Sequence, residues 1–273
     1  MKFWTPGAGK TIETTGAWLL GAVWLLPVLF AFWSAFHPAE FSTHFDLFAP
    51  LTLDNFIRAW SYAPFPRYLL NTFVLVTLIL AAQFVLCTLA AYGFARFEFF
   101  GKNVVFALVL LQLMIMPEVL LVENYRTISN MGLLDTIPAI GLPYMASAFG
   151  IFLLRQSFKT IPKELVEAAH VEGVSAVGIL WKVYIPLARS TYIAYGLVSV
   201  SYHWNNFLWP LVITSSVNSR PLTVGLAIFG APESGVDWSI ITAATVMTML
   251  PLLVAFILFQ RQFVQSFMHS GIK

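Results

Sequence analysis

Long apolar runs separated by short polar stretches are the first pattern in this chain. A helix rises about 1.5 Å per residue and the hydrocarbon layer of a bilayer is about 30 Å thick, so a run of about 20 apolar residues with few charges marks a span. Six segments meet that description: Gly16 to Phe36, Leu69 to Ala95, Val104 to Val122 with Pro117 and Glu118 as its interruption, the looser Ile137 to Leu154, Tyr192 to Ile213, and Ile240 to Phe259. The first is too long for a signal peptide, carries Trp18, Trp24, Trp33 and Pro27, and lacks a small-residue cleavage pattern, so it is expected to remain in the mature protein. No internal repeat and no low-complexity tract accompanies these runs, and helices of a soluble core, which can also be apolar all round, do not come six to a chain of this length.

Composition agrees with lipid as the solvent. Of the 273 residues 59% are hydrophobic and 10% charged, against about 25% charged in an ordinary soluble chain. Lysine and arginine are enriched in cytoplasmic connections. One side of the expected topology holds Lys2, Lys10, Arg96, Lys102, Arg155, Lys159, Lys163, Lys182, Arg189, Arg261 and Lys273, and the other only Arg58, Arg67, Arg126 and Arg220. Both termini are therefore expected in the cytoplasm. The net charge of +2, carried by dispersed basic residues, excludes a nucleic-acid footprint. The single cysteine, Cys87, lies in an apolar run and can build neither a disulfide framework nor a thiolate metal site.

The longest inside connection, Gln156 to Arg189, is the most informative stretch. Thr160 can cap a helix with Pro162 in its first turn, and Glu164 suits the positive end of the helix dipole, so a short amphipathic helix is expected to about Val171, ended by Gly173. A second short helix is expected from about Ala176 to Val183, stopped by Pro186. Glu167-Ala168-Ala169, three residues, Gly173, nine residues, then Val183-Tyr184-Ile185-Pro186 resembles the EAA loop of binding-protein-dependent ABC importer permeases, which reads EAA, three, G, nine, I-x-L-P. Val183, Ile185 and Glu172 stand where Ile, Leu and Asp are usual. The stretches Tyr202-His-Trp-Asn-Asn-Phe-Leu-Trp-Pro-Leu211, Gly132-Leu-Leu-Asp-Thr136 and Gln260-Arg-Gln-Phe-Val264 look like the carbohydrate branch of that family, which includes maltose-type and glycerol-3-phosphate-type permeases.

The resemblance implies an all-α membrane protein of six transmembrane helices with the type I importer fold and a cytoplasmic coupling loop. It implies a second permease subunit, two ATPase subunits that bind the ATP and Mg, and an extracytoplasmic solute-binding protein, in a bacterial inner membrane. The coupling residues carried over are Glu167, Ala168, Ala169, Gly173 and Pro186: Glu167 would meet a basic group of the ATPase, the two alanines keep the helix slim, and Gly173 permits the corner. The bland alternative is a solvated amphipathic loop in which Glu167 is an ordinary surface acid. The chain divides on this reading into residues 1–66 (N-terminus, first span and outer loop), 67–260 (spans two to six, with the coupling loop at about 156–189) and a cytoplasmic tail, 261–273.

Polar groups inside spans mark pathways or helix packing. Glu118, Gln112, Tyr202, His203, Asn205 and Asn206 are the candidates. The run from Tyr202 to Asn206 lies within the fifth expected span among aromatics able to stack on sugar faces, or to lock helices together; Glu118, next to Pro117, lines a cavity or reaches water. Arg220, Glu233 and Asp237 are expected to face water or a docked binding protein. No Arg or Lys lies deep in a span, which tilts the solute toward a neutral sugar over a glycerophosphate or sulfonate. Gly7-Ala8-Gly9-Lys10-Thr11 ends like a P-loop, but Trp4 stands where its first Gly is required and no strand precedes it. The chain is therefore read as a transporter subunit without an ATPase site, cofactor or metal of its own. The five His make no metal-ligand spacing, which removes a membrane enzyme, and a transporter working alone would call for charged relays or paired broken helices in two symmetric halves.

Overall fold

The computed structural model describes residues 6–42, 44–46, 48–227 and 237–271, and among these it is helical with no β-strand. In chain order the α-helices are α1 (Pro6–Ala35), α2 (Asp54–Tyr62), α3 (Phe65–Arg96), α4 (Lys102–Leu111), α5 (Leu121–Asn130), α6 (Ile137–Gly141), α7 (Ala148–Lys159), α8 (Lys163–Val171), α9 (Ala176–Ile179), α10 (Ile185–Leu187), α11 (Arg189–Trp204), α12 (Leu208–Ile213), α13 (Leu222–Leu226) and α14 (Trp238–Gly271). The P-loop-like residues Gly7–Thr11 lie inside α1.

Three of the six expected spans are continuous apolar helices: α1, α3 and α14. Two others are bent pairs. Lys102–Met114 and Pro117–Asn130 meet at 93°, and Ile137–Tyr144 and Ala148–Lys159 at 49°. The first break has a plain cause. Pro117 offers no N–H and disfavours helix at the residue before it, and Met116 is extended at φ −68°, ψ 133°. At the second break Ser147, also extended, accepts the amide of Gly150 at 3.2 Å and starts α7. The segment expected as the fifth span is α11, a helix of 16 residues, continued after Asn205–Phe207 by the six residues of α12.

The described residues pack as two units, those within 1–65 and 226–250, and those within 66–225 and 251–273. In the first, apolar side chains on α1 are exposed on every side, among them Trp18 at 77% and Trp24 at 75%, as suits a helix in lipid. Its end is tied down. Asn55 donates from Nδ2 to the carbonyls of Ala35 at 3.0 Å and His37 at 2.7 Å, and Arg58 pairs with Asp237 at 3.0 Å. Asp237 is thus not a free outer acid: it accepts the Ser239 amide at 3.1 Å and hydroxyl at 2.6 Å at the start of α14. Glu233 lies outside the described residues.

In the second unit two clusters form the core. One gathers Leu75, Ile79, Ile128, Ala139, Ile140, Trp209 and Ile213. The other joins Cys87, Ala91 and Tyr92 of α3 to Leu154, Phe158, Val166, Ile179, Leu180 and Tyr184, so the connection between α7 and α11 is rooted in the same apolar mass as the long helices. Helices in this unit approach closely where glycine permits. A Cβ on Gly150 would stand 2.5 Å from Cζ of Tyr195. Gly150→Ala is therefore expected to push Tyr195 aside and cost about 1–3 kcal/mol, read as a lower melting temperature of the solubilised protein.

Candidate functional site

Two of the three backbone breaks of the second unit lie around a cavity of about 380 Å³, lined by Gln112, Leu113, Ile115 and Pro117 at the first break, Pro143, Tyr144, Ala146, Ser147, Ala148 and Phe149 at the second, and Tyr195, Ser199, Tyr202 and His203 of α11 ahead of the third. Irregular backbone at membrane depth is tolerated where protein answers its polar groups or where it lines a cavity, and both conditions hold here. Gln112 Oε1 accepts the Ala148 amide at 3.2 Å, so the side chain at one break serves the backbone at the other. The indole Nε1 of Trp209, just past the third break, donates to the Ile140 carbonyl at 3.2 Å.

Gln83, buried to 3% exposure on α3, holds the wall together. Its Nε2 donates to the Tyr144 carbonyl at 2.7 Å and lies 3.3 Å from Nε2 of His203, while its Oε1 accepts the hydroxyls of Tyr195 at 2.9 Å and Ser199 at 2.6 Å. Because the amide nitrogen can only donate, His203 Nε2 must accept, which puts the imidazole in the neutral form with its proton on Nδ1. That Nδ1 is buried and has no partner. Sequence reasoning passed over Gln83, although a lone amide in the middle of the apolar run from Leu69 to Ala95 was a visible signal.

The expected pathway residues are only partly assembled. Tyr202 and His203 line the large cavity. Glu118, Tyr202 and Asn206 share a small adjoining pocket with Tyr144 and Trp209. Asn205 lines neither, its amide turned back onto the Ser201 carbonyl at 2.8 Å. The Tyr202–Asn206 stretch is not in the middle of a helix: α11 ends at Trp204, and the two asparagines form the break before α12. Glu118 is an exposed residue in the short turn after the bend.

At the other end of the unit the coupling-loop residues take two faces of α8. Val166 is buried and Ala169 half-buried against the core, while Glu167 and Ala168 are exposed. Gly173, at φ 75°, ends the helix in a Schellman turn, with the Val174 amide on the Ala169 carbonyl and the Gly173 amide on the His170 carbonyl, both at 3.0 Å. Two expectations need correction. Thr160 does not cap α8; it closes α7, donating to the Ser157 carbonyl at 2.8 Å, and α8 starts after Pro162 without a side-chain cap. Pro186 does not stop a helix at Val183 either. Residues Leu180–Tyr184 form one wide π turn after α9, Pro186 sits in the first turn of α10, and the chain runs on into α11; the widened turn removes the clash that a proline ring makes with a regular preceding turn. The loop is held by Tyr92, which donates to the Ala176 carbonyl at 2.9 Å, by Arg96, 2.7 Å from Nε2 of His170, and by Ser175, which caps α9.

The pattern of an inner membrane component of binding-protein-dependent transport systems matches residues 17–269. The chain belongs to that family. It is 33% identical over 263 residues to the sn-glycerol-3-phosphate transport system permease protein UgpE of Yersinia pestis bv. Antiqua (strain Antiqua), covering 90% of this chain and 92% of that one, and 32% identical over 257 residues to the UgpE protein of Escherichia coli O157:H7, covering 89% and 92%. Its fold matches, with a TM-score of 0.80 and 22% identity over 96% of this chain and 100% of the other, a chain of a bacterial ABC transporter involved in import of the acidic polysaccharide alginate. A second match, at 0.66 and 17% over 92% and 93%, comes from the alginate transporter in complex with its alginate pentasaccharide-bound periplasmic protein. The chain is thus a permease subunit of a binding-protein-dependent importer, an inner-membrane component with the ABC permease fold.

A device at the opposite end of the unit from the coupling loop joins two connections. Asp135, left-handed at φ 60°, accepts the amides of Ser215 at 2.8 Å and Ser216 at 2.9 Å and the hydroxyl of Ser219. Arg220, partly exposed, also donates to the Ser215 carbonyl at 3.0 Å, inside the same loop. Desolvation pushes the Asp135 carboxyl up, but the hydrogen bonds from Ser219, Ser216 and Ser215 together outweigh it and hold the group well below the usual carboxylate range. A carboxyl depressed on folding contributes stability that is complete above its unfolded value, near 4, and is lost as pH falls through the lower folded value. Asp135→Asn is expected to melt lower than the parent at pH 7, with the gap closing as pH is taken below about 4; thermal melts across that range check it.

Proposed function

We propose that this chain forms half of the translocation pathway of an ATP-driven importer for a sugar or glycerophosphate-like solute, beside a second permease, and that its EAA loop docks on an ATPase subunit. On this reading it crosses the membrane six times with both termini in the cytoplasm, and the ATP and Mg are bound by the ATPase. The carrying observation is the two-faced α8: Val166 and Ala169 root the helix in the transmembrane core, while Glu167 and Ala168 are left facing outward on a loop that also exposes Val171 at 89% and Trp181 at 65%. A rooted loop with an outward acid and apolar side chains beside it can receive a push from a partner and pass it to the long helices. The names of its relatives support the solute class, and the matching of the spacing Glu167-Ala168-Ala169 to Gly173 and Pro186 supports the docking role.

Glu167 on a basic group of the ATPase would form a charge-assisted bond of roughly 1.5–3 kcal/mol if shielded from water. Glu167→Arg places like charges there, and is expected to weaken recovery of the ATPase with the tagged chain by about 10- to 100-fold. Gly173→Pro cannot adopt φ 75° and is expected to abolish coupling while the chain still inserts. Affinity purification from mildly solubilised membranes, with mass spectrometry of what accompanies the chain, is the check. Unchanged recovery and unchanged transport in both variants would refute the docking role.

A further inference from the structure

At the end of the second unit that carries the coupling loop, the turn from α3 to α4 reads Arg96-Phe-Glu-Phe-Phe-Gly-Lys102, and every residue from Arg96 to Phe100 is exposed. Lysine and arginine side chains at the ends of spans ordinarily extend to water. Two here do not: Lys102 is 8% exposed and Arg155, on α7, 7%. The Arg155 guanidinium lies over the Phe106 ring, 4.0 Å from its centroid, and its Nε donates to the Phe94 carbonyl at 3.3 Å. The Phe94 ring packs in turn against Phe99 and Phe106, with centroids 6.0 and 5.3 Å away. The turn and α7 thus hold their cations on a fixed shelf, where a loose fringe of mobile side chains would have been the ordinary outcome.

Charge on that shelf is unbalanced. Lys102 Nζ meets Glu98 Oε1 at 2.8 Å. That hydrogen bond and the Lys102 charge, with smaller contributions from Lys159 and Arg155, hold the Glu98 carboxyl below its ordinary value. Three cations therefore gather about one carboxylate, and among the described residues neither Arg155 nor Lys159 forms an ion pair of its own. A cation taken out of water without a counter-charge is costly, and an anion from outside the chain would relieve it. Beside the shelf on α4 stand Val104 and Leu108, one turn apart and exposed at 64% and 62%. Cations next to an outward apolar helix face suit a phosphate that carries acyl chains, and the excess of positive charge favours an anionic lipid over a zwitterionic one.

We propose that Lys102, Arg155 and Lys159 form a site for the phosphate headgroup of an anionic phospholipid of the inner leaflet, with the Phe100 ring seated in the interface and the acyl chains along Val104 and Leu108. The proposal rests on the reading of the coupling loop as cytoplasmic, which brings the shelf to that leaflet. The last turns of α3 also supply Tyr92 and Arg96 to the coupling loop, so a lipid bound here would steady the helix end on which the loop leans.

The test uses the whole importer, purified with its second permease and ATPase and placed in phosphatidylcholine nanodiscs that contain a little phosphatidylglycerol bearing a photoreactive diazirine on one acyl chain. Illumination should label the peptide that spans Phe100 to Leu108, read by mass spectrometry. Unlabelled phosphatidylglycerol or cardiolipin should compete the label away, whereas phosphatidylethanolamine and inorganic phosphate should not. Lys159 is exposed, so Lys159→Gln should fold normally, and it should weaken labelling about 5-fold, the effect of one cation near an anionic headgroup. Arg155→Gln should weaken it at least as much. Lys182→Gln, which removes an exposed lysine of the coupling loop away from the shelf, should leave it unchanged. Absence of label on this peptide, equal competition by phosphatidylethanolamine, competition by inorganic phosphate, parent-level labelling in Lys159→Gln, or an equal loss in Lys182→Gln would each overturn the proposal. Failure to recover the ATPase and second permease with the chain would instead overturn the reading on which it rests, so the two failures are separable.

Discussion

A backbone that leaves its helical path where no water is available must have its freed amides and carbonyls answered by protein, and that requirement organises the second unit. Three breaks, at Pro117, Ser147 and Asn205–Phe207, expose main-chain groups in what would otherwise be plain spans. Gln112 answers the Ala148 amide, Trp209 answers Ile140, and Gln83 answers Tyr144. Each side chain comes from a different segment from the one it serves. The segments on either side of the breaks are therefore tied to one another, and the first two breaks line a mostly apolar cavity that also carries polar side chains. A helix bundle without the breaks would have been simpler to satisfy and would have had nothing to offer a solute.

The same logic applies at the other end of the unit. The connection from α8 to α10 is built of short helical pieces, and Tyr92 and Arg96 reach it from α3 while Val166, Ile179 and Tyr184 bury its inner side against the core. Tyr184 packs edge-on against both Tyr92 and Phe158, with ring centroids 5.1 Å apart in each case. Since α9, the π turn and α10 run directly into α11, and α11 carries Tyr195, Ser199, Tyr202 and His203, displacement of the loop has a continuous covalent and packed path to the cavity wall.

Asp135 and Gln83 show two ways in which a polar residue organises connections. At Gly132 the chain leaves α5 through a left-handed glycine, and Asp135, itself left-handed, gathers the amides of the 215–216 turn before Thr136 caps α6. The Gly132-Leu-Leu-Asp-Thr136 stretch is thus a turn, a clasp and a cap in five residues. Its likeness to a family pattern was readable in sequence; its physical reason was not, because the partner amides lie about eighty positions away.

The sequence alone determined what depends on composition and local spacing: the apolar runs that require lipid, the all-helical class, α8 ending at Gly173, the spacing from Glu167 to Pro186 that identifies the family, and Tyr202, His203, Asn206 and Glu118 as polar groups near cavities. These follow from a solvent that rejects charge and from left-handed backbone that favours glycine, which act residue by residue. Only the tertiary structure decided that Thr160 closes α7, that Pro186 is carried by a π turn, that Asn205 turns away, and that Gln83 sets the proton of His203. Those outcomes depend on which distant group comes within hydrogen-bonding reach, and no period or spacing along the chain encodes a contact such as that of Gln83 with His203, 120 residues apart.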